Sequence, residues 1–192
     1  MELSASVIGY LILLLAVGAL RIFELQVSKR HQRRMVEQGA SKVSEPHFRW
    51  IVVVHTGVLV GAAAEVVFLR RPFIPWLAGI MFALFLASNA IRLWVIRALG
   101  VRWSVQVMDA KRLGVITTGP FRYVRHPNYA AVILEMISLP LIHTAWITAL
   151  ATSAAYSFAL TKRIVAEEQV LLANPEYRSV MGGKPRFLPG LF

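Results

Sequence analysis

The chain reads as long uncharged apolar runs separated by short stretches dense in Lys and Arg. Residues 5–20, 50–64, 73–91 and 136–161 contain no Asp, Glu, Lys or Arg. A transmembrane helix needs about 20 mostly apolar residues. The pattern therefore predicts membrane-crossing helices over 4–24, 48–68 and 74–97. The first run lacks the basic start and small-residue cleavage site of a secretory leader, so it is read as a mature span. Residues 128–161 are too long for one span, since a single helix of that length would reach about 50 Å at 1.5 Å per residue. Pro140 sits near the middle, where it removes a backbone donor and interrupts the helix. The region is expected to fold as a hairpin of two short helices, 128–140 and 144–161. Such half-length helices are tolerated at membrane depth when packed against protein.

The resulting fold class is all-α. It is a multi-pass integral membrane protein with about five transmembrane helices, the last two forming a short hairpin, followed by a cytoplasmic C-terminal helix. Residues 1–192 are expected to form a single membrane domain, with three helices in 1–97 and the chemistry in 98–192.

Composition changes that picture in one respect. The chain of 192 residues is 57% hydrophobic, yet carries a net charge of +11. That apolar content excludes a disordered tail or a nucleic-acid arm. The absence of cysteine excludes disulfides, thiolate metal sites and a Cys nucleophile. The charge is concentrated in three blocks: 21–49 at +4, 92–125 at +6 and 162–192 at +2. An extracytoplasmic N-terminus places all three on the cytoplasmic side, as the bias of basic loops requires. Arg70 and Arg71 are the exception.

Polar residues inside the apolar runs need a reason, because ionisable groups there are costly. Arg21 and Glu24 are one turn apart and can pair. Glu65 and Arg92 are expected to snorkel toward the ends of their helices. Asn89 and Arg92 share a face and can reach a cavity together. Gly57 and Gly61 form a close-packing step for a neighbouring helix. His47 and His55 lie two turns apart, but no further ligands are spaced to make a metal site. His143, at the expected hairpin tip, is expected to face water. Residues 31–46 read as a polar loop with a basic start.

The densest chemistry lies in residues 119–129, GPFRYVRHPNY. Gly119-Pro120 signals a turn, and Pro127 suits the first turn of a helix. A helix N-terminus beside Arg122, Arg125 and His126 favours a carboxylate or phosphate. The rings of Tyr123 and Tyr129 can hold a flat base or a sulfonium. A second stretch, 162–177, sets Arg163, Glu167 and Glu168 on one helical sector. From spacing alone, it also fits a surface helix with an i, i+4 ion pair.

Together, GPFRYVRHPNY, the EEQVLL some 40 residues later and the following EYR resemble the isoprenylcysteine carboxyl methyltransferase family of small integral-membrane enzymes. The likeness covers Arg92 to the C-terminus. Arg21 and Glu24, then Gly39-Ala40, His47-Phe48 and His55, resemble a bacterial branch that methylates alkylpyrones made by type III polyketide synthases. The resemblance implies S-adenosylmethionine as cofactor. It implies that Tyr123, Val124, Arg125, His126, Pro127, Tyr129, Glu167 and Glu168 hold the cofactor, and that the hairpin covers it. It further implies catalytic roles for Arg163, Glu168 and Arg125, with the two arginines facing the acceptor oxygen, and no metal. The implied partners are a lipophilic or lipidated substrate entering from the bilayer and membrane lipids, without nucleic acid. The implied location is a bacterial inner membrane, with the site facing the cytoplasm.

Two other classes fit parts of this pattern. One is an NADPH-dependent membrane reductase of the sterol-reductase kind, which would want more Arg for the extra phosphate. The other is a non-catalytic membrane protein. The absence of an inverted repeat argues against a transporter.

Overall fold

A computed structural model describes residues 3–45, 48–110 and 113–187, so His47 lies outside the described residues. The order is α1 (Ala5–Glu37), β1 (Ser41–Lys42), α2 (Phe48–Phe68), α3 (Pro75–Leu99), β2 (Met108–Asp109), α4 (Pro127–Leu141), α5 (Trp146–Leu172) and α6 (Pro175–Met181). The chain is mostly helical. Among the described residues, α1, α2 and the stretch Pro75–Arg102 are long and apolar enough to cross a membrane. Their outer faces leave Leu15, Trp50, Val60, Phe68 and Trp76 exposed, which is more apolar surface than a water-soluble bundle normally shows.

α2 occupies the expected 48–68, and α3 is displaced from its expected bounds by only a residue or two. Two elements differ. α1 does not end near residue 24: it runs for 33 residues to Glu37, so the first part of the expected polar loop is helix. The continuation is held by its contacts with the 103–107 loop. Ser28 accepts the Val105 N–H at 3.0 Å, and Gln32 donates to the Ser104 hydroxyl at 2.9 Å. A two-residue antiparallel ladder, β1 with β2, then ties the end of α1 to the loop after α3. The second difference is at the C-terminus. The Glu167-Glu168 stretch is not on a separate helix but on the last turns of α5, and only the seven-residue α6 follows.

α4 and α5 form the expected hairpin, turning at 142–145. α3 and α5 flank α4, and α5 also packs on α2. The core joins Val54 and Val58 of α2, Val132 and Met136 of α4, and Tyr156 and Leu160 of α5. A second cluster seats Tyr10, Leu14 and Val17 of α1 against Val66, Phe85 and Leu139.

The hairpin tip is not solvated. His143 is buried between the rings of Tyr10 and Phe73, with centroids at 5.4 and 5.3 Å. Glu65 does not snorkel either. Its carboxylate caps α5, accepting the N–H groups of Ile147 and Thr148 at 3.1 and 2.7 Å and Arg71 Nε at 2.8 Å. This satisfies backbone donors that a helix start leaves open. Gly61 supplies half of the expected close approach: a Cβ there would lie 3.2 Å from Thr148. Gly57 has nothing within 4 Å of a notional Cβ.

A four-charge network lies nearer the other end of the bundle. Glu135 of α4 takes Arg21 Nη2 at 2.8 Å and Arg92 Nη2 at 2.5 Å. Glu24 takes Arg21 Nη1 at 2.5 Å and sits 3.7 Å from Arg92 Nη1, and Asn89 Oδ1 accepts from Arg21 at 3.2 Å. Arg92 is therefore interior, not snorkelling, at 5% exposure. Removing one partner of a buried pair strands the other charge, at a cost of about 3–5 kcal/mol. Glu135→Ala should lower unfolding stability in detergent by that order, with Glu135→Gln losing less. An unchanged unfolding midpoint for Glu135→Ala would show that the network does not hold the helices.

Candidate active site

The motif 119–129 is placed by a tight contact with α3. Gly119 has φ +60°, in the left-handed region that favours glycine, and a Cβ there would lie 2.8 Å from Ala98 Cβ. The turn Gly119–Arg122 rests on α3, and Pro127 opens α4 as expected. A second clamp comes from the C-terminus. Arg125 and His126 donate their backbone N–H groups to the carbonyls of Pro185 and Arg186, both at 2.9 Å. Lys184 Nζ donates to the Phe121 carbonyl at 2.8 Å.

α5 then brings its acidic pair against the motif. Glu168 Oε1 lies 3.1 Å from His126 Nε2 and 3.1 Å from Arg125 Nη1, and Arg186 Nη2 reaches Oε2 at 2.6 Å. The carboxylate only accepts, so His126 carries its proton on Nε2 in this contact. Tyr129 donates its hydroxyl to Glu167 and accepts from Arg163 Nε at 2.9 Å. The His126 and Tyr129 rings are stacked at 5.3 Å, and the Arg163 guanidinium lies over Tyr129 at 5.6 Å. Arg163 also donates to the Val105 carbonyl and approaches Glu45 at 3.5 Å.

These groups surround two adjoining cavities. The inner one, of about 120 Å³, is walled by Arg125, His126, Tyr129, Arg163 and Glu167, and continues to Arg92, His55 and Tyr156. The outer one, of about 200 Å³, shares Arg125 and Glu167 with it and is walled by Ile116, Val170, Leu171 and Tyr177. Burial and the Glu167 carboxylate push the Tyr177 phenol up to about 12, which keeps it a donor. Burial alone would raise the Glu168 carboxyl. Hydrogen bonds from Arg186 and His126 and the charge of Arg125 outweigh it, holding the group below the usual carboxylate range.

Of the expected site residues, Arg125, His126, Pro127, Tyr129, Arg163 and Glu167 line the inner cavity. Glu168 lies behind His126, outside the walls of both cavities, where it orients the ring and the arginines. Val124, inside the motif, is buried, while Tyr123 is half exposed and sits 6.4 Å from Trp94. Neither lines these two cavities. Sequence reasoning passed over Glu45, Glu135 and Arg186. Glu45 also anchors the 103–107 loop by accepting the Val107 N–H at 2.5 Å. Among the described residues, no group of three or more His, Cys, Asp or Glu is arranged to hold a metal ion.

Residues 80–173 match the family model described as the isoprenylcysteine carboxyl methyltransferase family. The chain is 30% identical over 151 residues to the uncharacterized protein YpbQ of Bacillus subtilis (strain 168), covering 79% of this chain and 89% of the relative. It is 28% identical over 154 residues to an uncharacterized protein of Haemophilus influenzae, covering 80% and 89%.

The C-terminal clamp has a testable acid limit. A carboxyl lowered on folding contributes stability above its unfolded pKa and loses it as pH falls through the lowered value. Hydrogen exchange at the Arg125 and His126 amides should be slow at neutral pH and lose protection once pH drops below the ordinary carboxylate range. In Arg186→Ala, Glu168 titrates higher, so protection should fail at a higher pH. Identical acid profiles for variant and wild type would refute the clamp.

Proposed function

Because the chain belongs to the isoprenylcysteine carboxyl methyltransferase family of membrane methyltransferases, we propose that it transfers a methyl group from S-adenosylmethionine to an oxygen of a lipophilic acceptor. The acceptor is an alkylpyrone or alkylresorcinol of polyketide type, or an isoprenylcysteine-type carboxylate. The proposal includes five membrane passes, the α4–α5 hairpin supplying two. It also includes a bacterial inner-membrane location with the site facing the cytoplasm. The observation that carries the reading is the convergence of Arg125, His126, Tyr129, Arg163 and Glu167 on one cavity wall.

The donor set suits such a cofactor. Arg125 Nε and Asn128 Oδ1 are buried beside the cavity without partners, and an amino-acid ligand offers both an acceptor and a donor to match them. Arg125 would hold its carboxylate and Glu167 its ammonium. The stacked His126 and Tyr129 rings would face the sulfonium, and the apolar outer cavity would take the base. S-adenosylmethionine, when bound, supplies a methyl group already activated by its sulfonium. The protein's task is then mainly alignment of the acceptor oxygen. Arg163, held by Glu45 and Tyr129, would orient that oxygen through charge-assisted hydrogen bonds, with Arg125 beside it. Glu168 would fix His126 from behind the cavity wall. The family assignment favours this chemistry over that of a reductase.

The test is transfer of labelled methyl from S-adenosylmethionine to a panel of lipophilic acids, pyrones and phenols. No transfer to any of them, with no cofactor binding, would sink the proposal. Arg163→Ala should reduce turnover by at least about 100-fold, the scale of a lost transition-state donor, while cofactor affinity is largely kept. His126→Ala should weaken cofactor binding by calorimetry in detergent. An unchanged affinity would remove His126 from the cofactor wall.

A further inference from the structure

The inner end of the cavity lies away from the motif. It is formed by His55 of α2, Arg92 of α3 and Tyr156 of α5, with Ile51, Val95 and Val132 as apolar walls. Tyr156 and Arg163 are seven residues apart on α5, so their backbone positions are separated by about 10 Å along the helix. This end is thus two turns from the arginine that would face the reacting oxygen.

Its hydrogen-bonding character is determined by the protein. His55 Nδ1 lies 2.7 Å from the Ile51 carbonyl, which can only accept, so Nδ1 carries the proton and Nε2 keeps a lone pair. The ring is further held edge-on against Tyr156, at 5.6 Å between centroids. Arg92 is committed to Glu135 and Glu24 through its terminal nitrogens, and its buried Nε–H has no partner. The four charges of Arg21, Arg92, Glu24 and Glu135 balance, so an anion finds no net attraction here. His55 Nε2 as acceptor, the Arg92 Nε–H as donor and the Tyr156 phenol, which can serve as either, match a hydroxyl in a neutral setting, since a hydroxyl both donates and accepts. A carboxylate only accepts and leaves Nε2 unmet.

We infer that the inner end of the cavity is a subsite for a second, neutral hydroxyl on the methyl acceptor, separate from the oxygen that is methylated, with His55 Nε2 accepting and Arg92 donating. This rests on the proposed methyl transfer. It narrows the acceptor class to a ring bearing two hydroxyls, as in an alkylresorcinol and not in an alkylpyrone with one hydroxyl, its alkyl tail lying along the apolar walls. A buried group built to bond a substrate hydroxyl rejects the analogue lacking it, because the group is then left unpaired.

The test compares a long-chain alkylresorcinol with the alkylphenol of equal chain length, using the full-length protein in detergent. The wild type should prefer the dihydroxy ring by at least about tenfold in kcat/KM, expressed mainly in KM. His55→Leu should treat the two rings alike, and His55→Gln, whose amide oxygen can still accept, should restore part of the preference. The difference between acceptors within one variant is insensitive to the amount of folded protein. A preference that survives in His55→Leu, or its absence in the wild type, overturns the subsite. Calorimetry with S-adenosylmethionine separates the two readings. Cofactor binding with methylation of farnesylated or other acids but of neither ring overturns the subsite alone, whereas no binding and no transfer overturn both.

Discussion

A buried charge must be matched where it lies, and the position of α4 follows from that requirement. Glu135 sits between two guanidiniums, one from α1 and one from α3. Neither arginine can swing to water without stranding the carboxylate, so three helices are held in one register at one point. Tyr129, six residues earlier on the same helix, is thereby set in place. So is His126, directly before it, and hence the rings that stack at the cavity. α5 is fixed by the same principle at both ends: Glu65 takes its first backbone donors, and Glu168 takes Arg125, His126 and Arg186. Apolar packing between these helices is plentiful but imprecise, because in lipid a helix gains little by choosing one apolar neighbour over another. The carboxylates supply the precision.

What was legible in the sequence follows from how local each signal is. α2 and α3 are bounded by their own composition, and Pro127 and Pro140 mark the hairpin. The motif and the Glu167-Glu168 pair carry their chemistry in adjacent residues, and the fold brings the two into contact. The remainder depends on partners distant in sequence. Glu135 is one charge in an apolar stretch, with no neighbour to suggest that Arg21 and Arg92 await it. Glu65 looked like a residue reaching for water, because its true partners are backbone groups 82 and 83 positions later. Arg186 and Glu45 lie in loops whose docking no periodicity reports. The extension of α1 has a local signal, since residues 25–37 contain neither Gly nor Pro, and Gly39, at φ +87°, marks the stop. Polarity in this stretch marks a helix face turned to other polar segments, which composition alone does not distinguish from a loop.

The three basic blocks meet at one end of the bundle. The β1–β2 ladder joins the first to the second, and Arg163 reaching Glu45 joins the third to the first. Charge that a membrane protein needs for orientation is thus assembled where a charged cofactor would have to be met. From that end the cavity wall changes character, from ionic groups of α4 and α5 to Ile51, Val95 and Val132, among which His55, Arg92 and Tyr156 are the polar groups. In the proposed transfer, a site graded this way would separate the two substrates by solvation. A charged, water-soluble molecule would be stabilised only at the polar end, and a long alkyl tail only among apolar helices. Two reactants that share no common solvent would then meet where the two walls join, beside Arg163 and Tyr129.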